Sequence, residues 1–165
     1  MADSINLLKL PGYNDISNIL LDRIFKAVLL PMLKELIQER VSSFGFRCTD
    51  TILKQHHHDD ILPRYIRPKF KFDKMQDFRF AMKIVSDNNI GCFSEKEVEL
   101  CDKLRKMGNH FVHTSEISTD FVIQVMTLTE KLLSFINTTT DIDITNYSNL
   151  LKDSFKLLDN SNLSM

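Results

Sequence analysis

Residues 94–113 read SEKEVELCDKLRKMGNHFVH, and this stretch does most to fix the fold. It opens with a capping-box pattern, in which the Ser94 hydroxyl accepts a first-turn amide and the Glu97 carboxylate reaches back to the Ser94 amide. Apolar residues then recur at spacings of three and four, which predicts an amphipathic helix that begins at Ser94. Its apolar stripe consists of Val98, Cys101, Leu104, Met107 and Phe111.

The same periodicity extends to both sides of this stretch and predicts an all-α fold, an up-and-down helical bundle. A long helix should start near Asp15, bury residues such as Ile19 and Ile24, and be kinked or split by Pro31. Asp73 is the expected cap of a later helix. The helices are predicted at about 15–42, 73–86, 119–137 and 145–158, with one more short helix starting near residue 50.

Size and composition indicate one domain. The chain has 165 residues, enough to bury one hydrophobic core. Four glycines and four prolines are few for a sandwich or barrel and suit helices joined by short connections. We therefore expect a single helical domain over 1–165, with a core at about 73–137, a C-terminal helix at 145–158 and a loose tail at 159–165.

Charge and cysteine content restrict the class of partner and the compartment. A net charge of −1 gives no overall field that would hold a phosphate backbone. Three cysteines without a CxxC pair, and an N-terminus without a leader pattern, predict a reduced, cytoplasmic protein. The longest apolar run, 27–33, is interrupted by Pro31 and is too short to span a bilayer, so no membrane insertion is expected.

Polar residues cluster at the end of the 94–113 helix. Arg105, Asn109 and His113 are four residues apart and share one stripe, while His110 is rotated by about 100° from Asn109. An arginine can hold a phosphate oxygen and a histidine can move a proton near neutral pH, so this face suits metal-free phosphodiester chemistry. The alternative is a solvated helix end, where the helix dipole favours basic residues.

The run FSEKEVELCDKLRKMGNHFVHTSEISTDF resembles the signature of the HEPN superfamily (higher eukaryote and prokaryote nucleotide-binding), whose motif is Arg-Asn-x-x-x-His near a helix end. It is similar in particular to the mannitol operon repressor family, in which a helix ends in Arg-Asn-x-Phe-Ala-His and the next starts with a Phe. Asn109, Phe111, His113 and Phe121 stand at the matching positions, and the resemblance covers about residues 75–136. Gly108 stands where the family has its arginine.

The resemblance implies two functions. In active HEPN ribonucleases the Arg and His of two protomers face each other across a dimer cleft and promote attack by the RNA 2′-OH. Without the arginine, we expect a catalytically degenerate homodimer that regulates through a protein partner, because no helix-turn-helix supports direct DNA binding. The alternative is a metal-independent endoribonuclease of toxin or defence type. It would use His113 or His110 as acid and base and Arg105 as phosphate clamp.

Two further segments attract attention. QHHHDD at 55–60 is typical of a solvated polar loop, and the alternative is a Zn²⁺ or Ni²⁺ site to which His110 and His113 could contribute. We expect no cofactor and no metal. The segment RYIRPKFKFDKMQDFRFAMK at 64–83 interleaves basic and aromatic residues, as in nucleic-acid contacts, although inward aromatics and solvated lysines fit equally well. Its candidate nucleic-acid-binding residues are Arg64, Arg67, Lys69 and Lys71.

Overall fold

The computed structural model describes residues 14–44, 78–86, 92–114 and 116–163, and it is helical over nearly all of them. None of these described residues belongs to a β-strand. The predicted all-α helical bundle is therefore confirmed. Within the same ranges, no helix combines the length and the apolar character that a membrane span requires.

Five helices make up the described chain. Helix α1 covers residues 14–44 in three segments: α-helical Asn14–Arg23, π-helical Ile24–Leu29 and α-helical Leu30–Phe44. Helix α2 is Phe78–Ser86, α3 is Glu95–His113, α4 is Thr119–Thr139 and α5 is Thr145–Leu163. The predicted starts of α3, α4 and α5 are confirmed. The predicted helix near residue 50 and the Asp73 cap lie outside the described residues.

Helix α5 is longer than predicted. It was expected to end at Leu158, with a loose tail after it, but residues 159–163 are helical. The polar residues of this segment are weak helix formers, yet neither glycine nor proline interrupts the hydrogen-bonded ladder. The helix therefore continues for another turn beyond Leu158.

A π-helical segment lies just before Pro31 in α1. Pro31 was predicted to kink or split the helix, and residues 14–44 are helical in three segments, with Ile24–Leu29 in the π form just ahead of the proline. Proline lacks an amide hydrogen and its ring clashes with the carbonyl four residues earlier, that of Ala27. A wider turn accommodates that clash without ending the helix.

The contacts of the chain divide it into two compact units. Among the described residues, the first unit contains 14–29 and 107–163, and the second contains 30–44, 78–86 and 92–106. Helices α1 and α3 contribute residues to both. The expected single domain stays a prediction, and each unit is described by itself.

The first unit is built on α4 and α5. The N-terminal segment of α1 packs against both helices, and the π-helical segment packs against α5. Phe25 is fully buried and stacks on Phe111, with ring centroids 5.7 Å apart. Ile19, predicted to be part of the apolar stripe, is instead 49% exposed, because Leu20 and Leu21 take the inward-facing positions.

The second unit is built on the last segment of α1 and on α2, which pack together. In α2, Phe78, Ala81, Met82 and Val85 are buried as predicted. The third component is the N-terminal part of α3, from which Leu100, Cys101 and Leu104 are buried. Val98, also predicted in the stripe, is only half-buried.

The N-terminus of α3 is fixed by the predicted capping box and by an arginine from α1. The Ser94 amide donates to Glu97 Oε1 over 2.8 Å, and the Glu97 amide donates to Ser94 Oγ over 3.3 Å. The Glu97 side chain has no exposed surface, and Arg40 binds it through two hydrogen bonds of 2.8 and 2.7 Å. Arg40 Nη1 also donates to the Cys92 carbonyl over 3.2 Å. These bonds join α1 to the first turn of the motif helix.

Candidate functional site

The last turns of α3 carry the motif residues. Asn109 is half-buried, whereas His110 and His113 are exposed. Because the two histidines are three positions apart on a continuous helix, both project from the same side of its final turn. Both imidazoles therefore lie at one solvent-facing helix end.

His110 is oriented by residues that follow it in the chain. Its ring lies against Phe121, with centroids 5.1 Å apart and planes inclined by 50°. The Thr114 hydroxyl oxygen is 3.5 Å from His110 Nδ1, and the tautomer decides which group donates. Phe121 itself is positioned by the start of α4, where its amide donates to Ser118 Oγ over 3.1 Å. A short connection and a helix cap thus set the orientation of this imidazole.

His113 makes no hydrogen bond, ion pair or ring contact with the described part of the chain. The same holds for the Asn109 side chain within those ranges. By contrast Phe111, between the two histidines, turns inward and stacks on Phe25. The apolar residue anchors this end of α3, while the polar residues remain available for an external ligand.

Gly108 is buried. It is four residues beyond the buried Leu104 and three before Phe111, so the helix register places it on the inward stripe. An arginine at this position would start from backbone that solvent does not reach. The position at which the HEPN motif has its cation is therefore buried.

Arg105 has a partner on its own helix. Its Nη2 donates to Asp102 Oδ1 over 2.8 Å, one turn toward the N-terminus, and its side chain is 29% exposed. This guanidinium, followed by the Lys106 ammonium, holds the pKa of Asp102 below its usual value. The candidate phosphate clamp is thus engaged in an ion pair within one helical turn.

The remaining candidates do not add to this cluster. Arg64, Arg67, Lys69, Lys71 and the histidines at 56–58 lie outside the described residues. Cys101 is a buried free thiol, and burial, with the nearby Glu97 carboxylate, raises its pKa, so it is not an activated nucleophile. Within the described ranges, no three His, Cys, Asp or Glu side chains are grouped to hold a metal ion.

Two positioning contacts were missed by sequence reasoning. Arg40 is 57 residues from Glu97, and Phe25 is still farther in sequence from Phe111. Neither pairing has a local signal in the sequence. The Phe121 contact with His110 was only indirectly foreseeable, from the cap that starts α4 shortly after α3 ends.

Comparison with known proteins adds no relative: no family model, curated protein or solved structure matches this chain. The HEPN resemblance therefore depends on the sequence pattern of about residues 75–136 and stays a prediction.

Proposed function

We propose that this chain is a HEPN-like regulatory protein, similar to the mannitol operon repressor family, that acts by binding a protein partner and does not cleave RNA. The observation that carries the proposal is the burial of Gly108 at the position of the family's arginine. The protein retains the asparagine and histidine of the motif without the charged group that the chemistry requires.

Metal-free RNA cleavage needs both proton carriers and a cation. His110 and His113 are exposed and could exchange protons with a bound RNA. The phosphate in the transition state also carries developing negative charge, and one preorganised donor is commonly worth about 3 to 4 kcal/mol. Gly108 supplies no such donor, and the Arg105 guanidinium is already paired with Asp102. Binding by this helix end is therefore easier to support than catalysis.

A protein partner fits the described surface better than a nucleic acid. The net charge of −1 provides no general attraction for a polyanion. Val112, adjacent to His113, is 45% exposed, so apolar surface accompanies the imidazoles at this helix end. We propose that the chain is a cytoplasmic homodimer that pairs through α3 and α4. RNA is the alternative target.

The second candidate function is a metal-independent endoribonuclease of toxin or defence type. One specific observation favours it: both imidazoles are exposed on one face of a single helical turn. In this version His113 and His110 serve as acid and base, and Arg105 leaves Asp102 to clamp the phosphate.

An RNA cleavage assay in EDTA tests the two candidates. The full chain and His113→Ala are incubated with structured RNA, with Lys103→Ala as the control, because Lys103 is also exposed on α3 and pairs with the exposed Glu99. We expect no cleavage by any of the three. Cleavage that leaves cyclic phosphate ends, disappears in His113→Ala and persists in Lys103→Ala would establish the ribonuclease and refute the regulatory proposal.

Light scattering tests the homodimer separately. We expect a dimer mass for the full chain at micromolar concentration. A monomer mass that persists at the highest attainable concentration contradicts the proposed pairing through α3 and α4, whatever the RNA assay gives.

A further inference from the structure

We propose that His110 and His113 bind a divalent transition-metal cation with the ligand preference of Zn²⁺, and that a second copy of this chain supplies the other two ligands. The inference rests on the homodimer proposed above. It goes beyond that proposal by giving the motif histidines a role that needs no arginine.

The spacing of the two histidines suits chelation. On a helix, residues three apart have Cβ atoms about 5–6 Å from each other on one face. Ligand pairs at this spacing bind metals from helices, as in the Glu-x-x-His motif of di-iron bundles. His110 and His113 are both exposed, so each ring can approach an ion to a bond length of about 2.0–2.1 Å without crossing the packed interior.

The surroundings of His110 resemble the support that metal ligands usually have. A ligating histidine commonly gives its second ring N–H to an oxygen, which fixes the tautomer and the ring orientation. At His110 the Thr114 hydroxyl oxygen is 3.5 Å from Nδ1, and Phe121 lies against the ring. With the Nδ1 proton directed toward Thr114, Nε2 keeps its lone pair for a metal.

The helix dipole at this end also favours a cation. The C-terminus of a helix carries partial negative charge on its last carbonyl groups, and His110 and His113 are in the last turn of α3. Lys106, the lysine that precedes this turn, has its ammonium bound to Asp102 at 3.0 Å. Asp102 also binds Arg105 at 2.8 Å, so this one carboxylate only partly offsets the two cations that precede the turn.

A single chain supplies too few ligands for a closed zinc site. Across the described ranges no three potential ligands are grouped around one position, whereas structural Zn²⁺ usually takes four ligands in a tetrahedron. Two histidines from each of two chains complete that number. The site is thus incomplete without the partner copy, and the metal would strengthen the pairing of the two motif helices.

Zinc titration with mass measurement tests the inference. Metal-free full chain is titrated with ZnCl₂ by calorimetry, and its mass is followed by light scattering in ZnCl₂ and in EDTA. We expect about one ion for every two chains and a dimer that tightens with Zn²⁺ by at least tenfold in dissociation constant. The double variant His110→Ala with His113→Ala should lose both effects, and Lys103→Ala should lose neither. Far-ultraviolet circular dichroism verifies that the variants are folded.

Three results would overturn the inference. One is Zn²⁺ binding that survives in the double variant but disappears when the histidines at 56–58 are replaced by alanine. Another is a dimer that is identical in ZnCl₂ and EDTA without bound metal, which leaves the homodimer itself intact. A monomer under every condition removes the homodimer as well. Cleavage of RNA in EDTA would count against the regulatory function only.

Discussion

The two ends of helix α3 use their polar residues in opposite ways. At the N-terminus, Ser94 and Glu97 satisfy each other's amides and Arg40 completes the coordination of the carboxylate. At the C-terminus, His110 and His113 are exposed and make few contacts. The residues at the N-terminus stabilise the fold through their mutual bonds. The histidines at the C-terminus contribute little to stability, and their exposed rings can contact a ligand.

Because the two ends differ in burial, substitutions at them should have different effects on the free energy of unfolding. Removing one partner of a buried ion pair leaves an uncompensated charge and costs about 3–5 kcal/mol, although the intact pair contributes far less than that. Exposed polar residues away from such pairs usually change stability by less than about 0.5 kcal/mol when replaced. Substitutions along one helix can therefore separate residues that hold the fold from residues that serve a ligand.

Glu97→Ala has the largest expected effect. It removes the capping carboxylate and leaves Arg40, only 16% exposed, without its partner. We expect a loss of about 3–5 kcal/mol in the free energy of unfolding, measured by urea denaturation. The matched control is Glu99→Ala on the same helix, whose side chain is 53% exposed and whose Lys103 pair is worth about 0.5 kcal/mol or less. Equal losses in the two variants would contradict the contrast between the ends.

The N-terminal end shows what sequence can and cannot predict. The Ser94 and Glu97 cap was readable because both residues and the amides they satisfy lie within one turn. Arg40 was not, because its approach to Glu97 depends on how helices far apart in sequence pack. Periodicity also misjudged Ile19, since three adjacent apolar residues cannot all face the core of one helix.

The C-terminal end gives the complementary lesson. The exposure of His110 and His113 followed from the stripe on the opposite face, which sequence periodicity identified. The burial of Gly108 could also have been read, because it continues the spacing from Leu104 toward Phe111. The ring contact with Phe121 could not, because it depends on the turn between α3 and α4.

Gly108→Arg has the second-largest expected effect and tests the C-terminal end of α3. The substitution would complete the Arg-Asn-x-x-x-His pattern that the chain resembles, and leaving glycine gains about 1 kcal/mol of helix propensity. At a buried position, however, overpacking costs about 1–3 kcal/mol and a buried guanidinium needs a counter-charge. We expect a net destabilisation in thermal unfolding and no RNA cleavage in EDTA. Lys103→Arg, an arginine at an exposed position of α3, should be neutral. A stable Gly108→Arg protein that cleaves RNA would contradict the inward direction of this position.

Arg105→Ala has the smallest expected effect. It tests whether the Arg105 guanidinium is held in its ion pair with Asp102 or is available to bind a phosphate near His110 and His113. The Arg105 guanidinium is the main cause of the lowered pKa of Asp102, so its removal should raise that pKa, with Lys106 still lowering it. Because the folded pKa lies below the unfolded one, the pair stabilises the protein above about pH 4 and that contribution is lost as the pH falls through the folded value. With side chains 29% and 35% exposed, the expected loss near pH 7 is about 0.2–1 kcal/mol, and it should vanish in acid.

A carboxyl NMR titration of Asp102 measures the change in its pKa directly. An unchanged Asp102 pKa in Arg105→Ala would mean that the guanidinium is not committed to this pair, and the ribonuclease candidate would gain its missing cation.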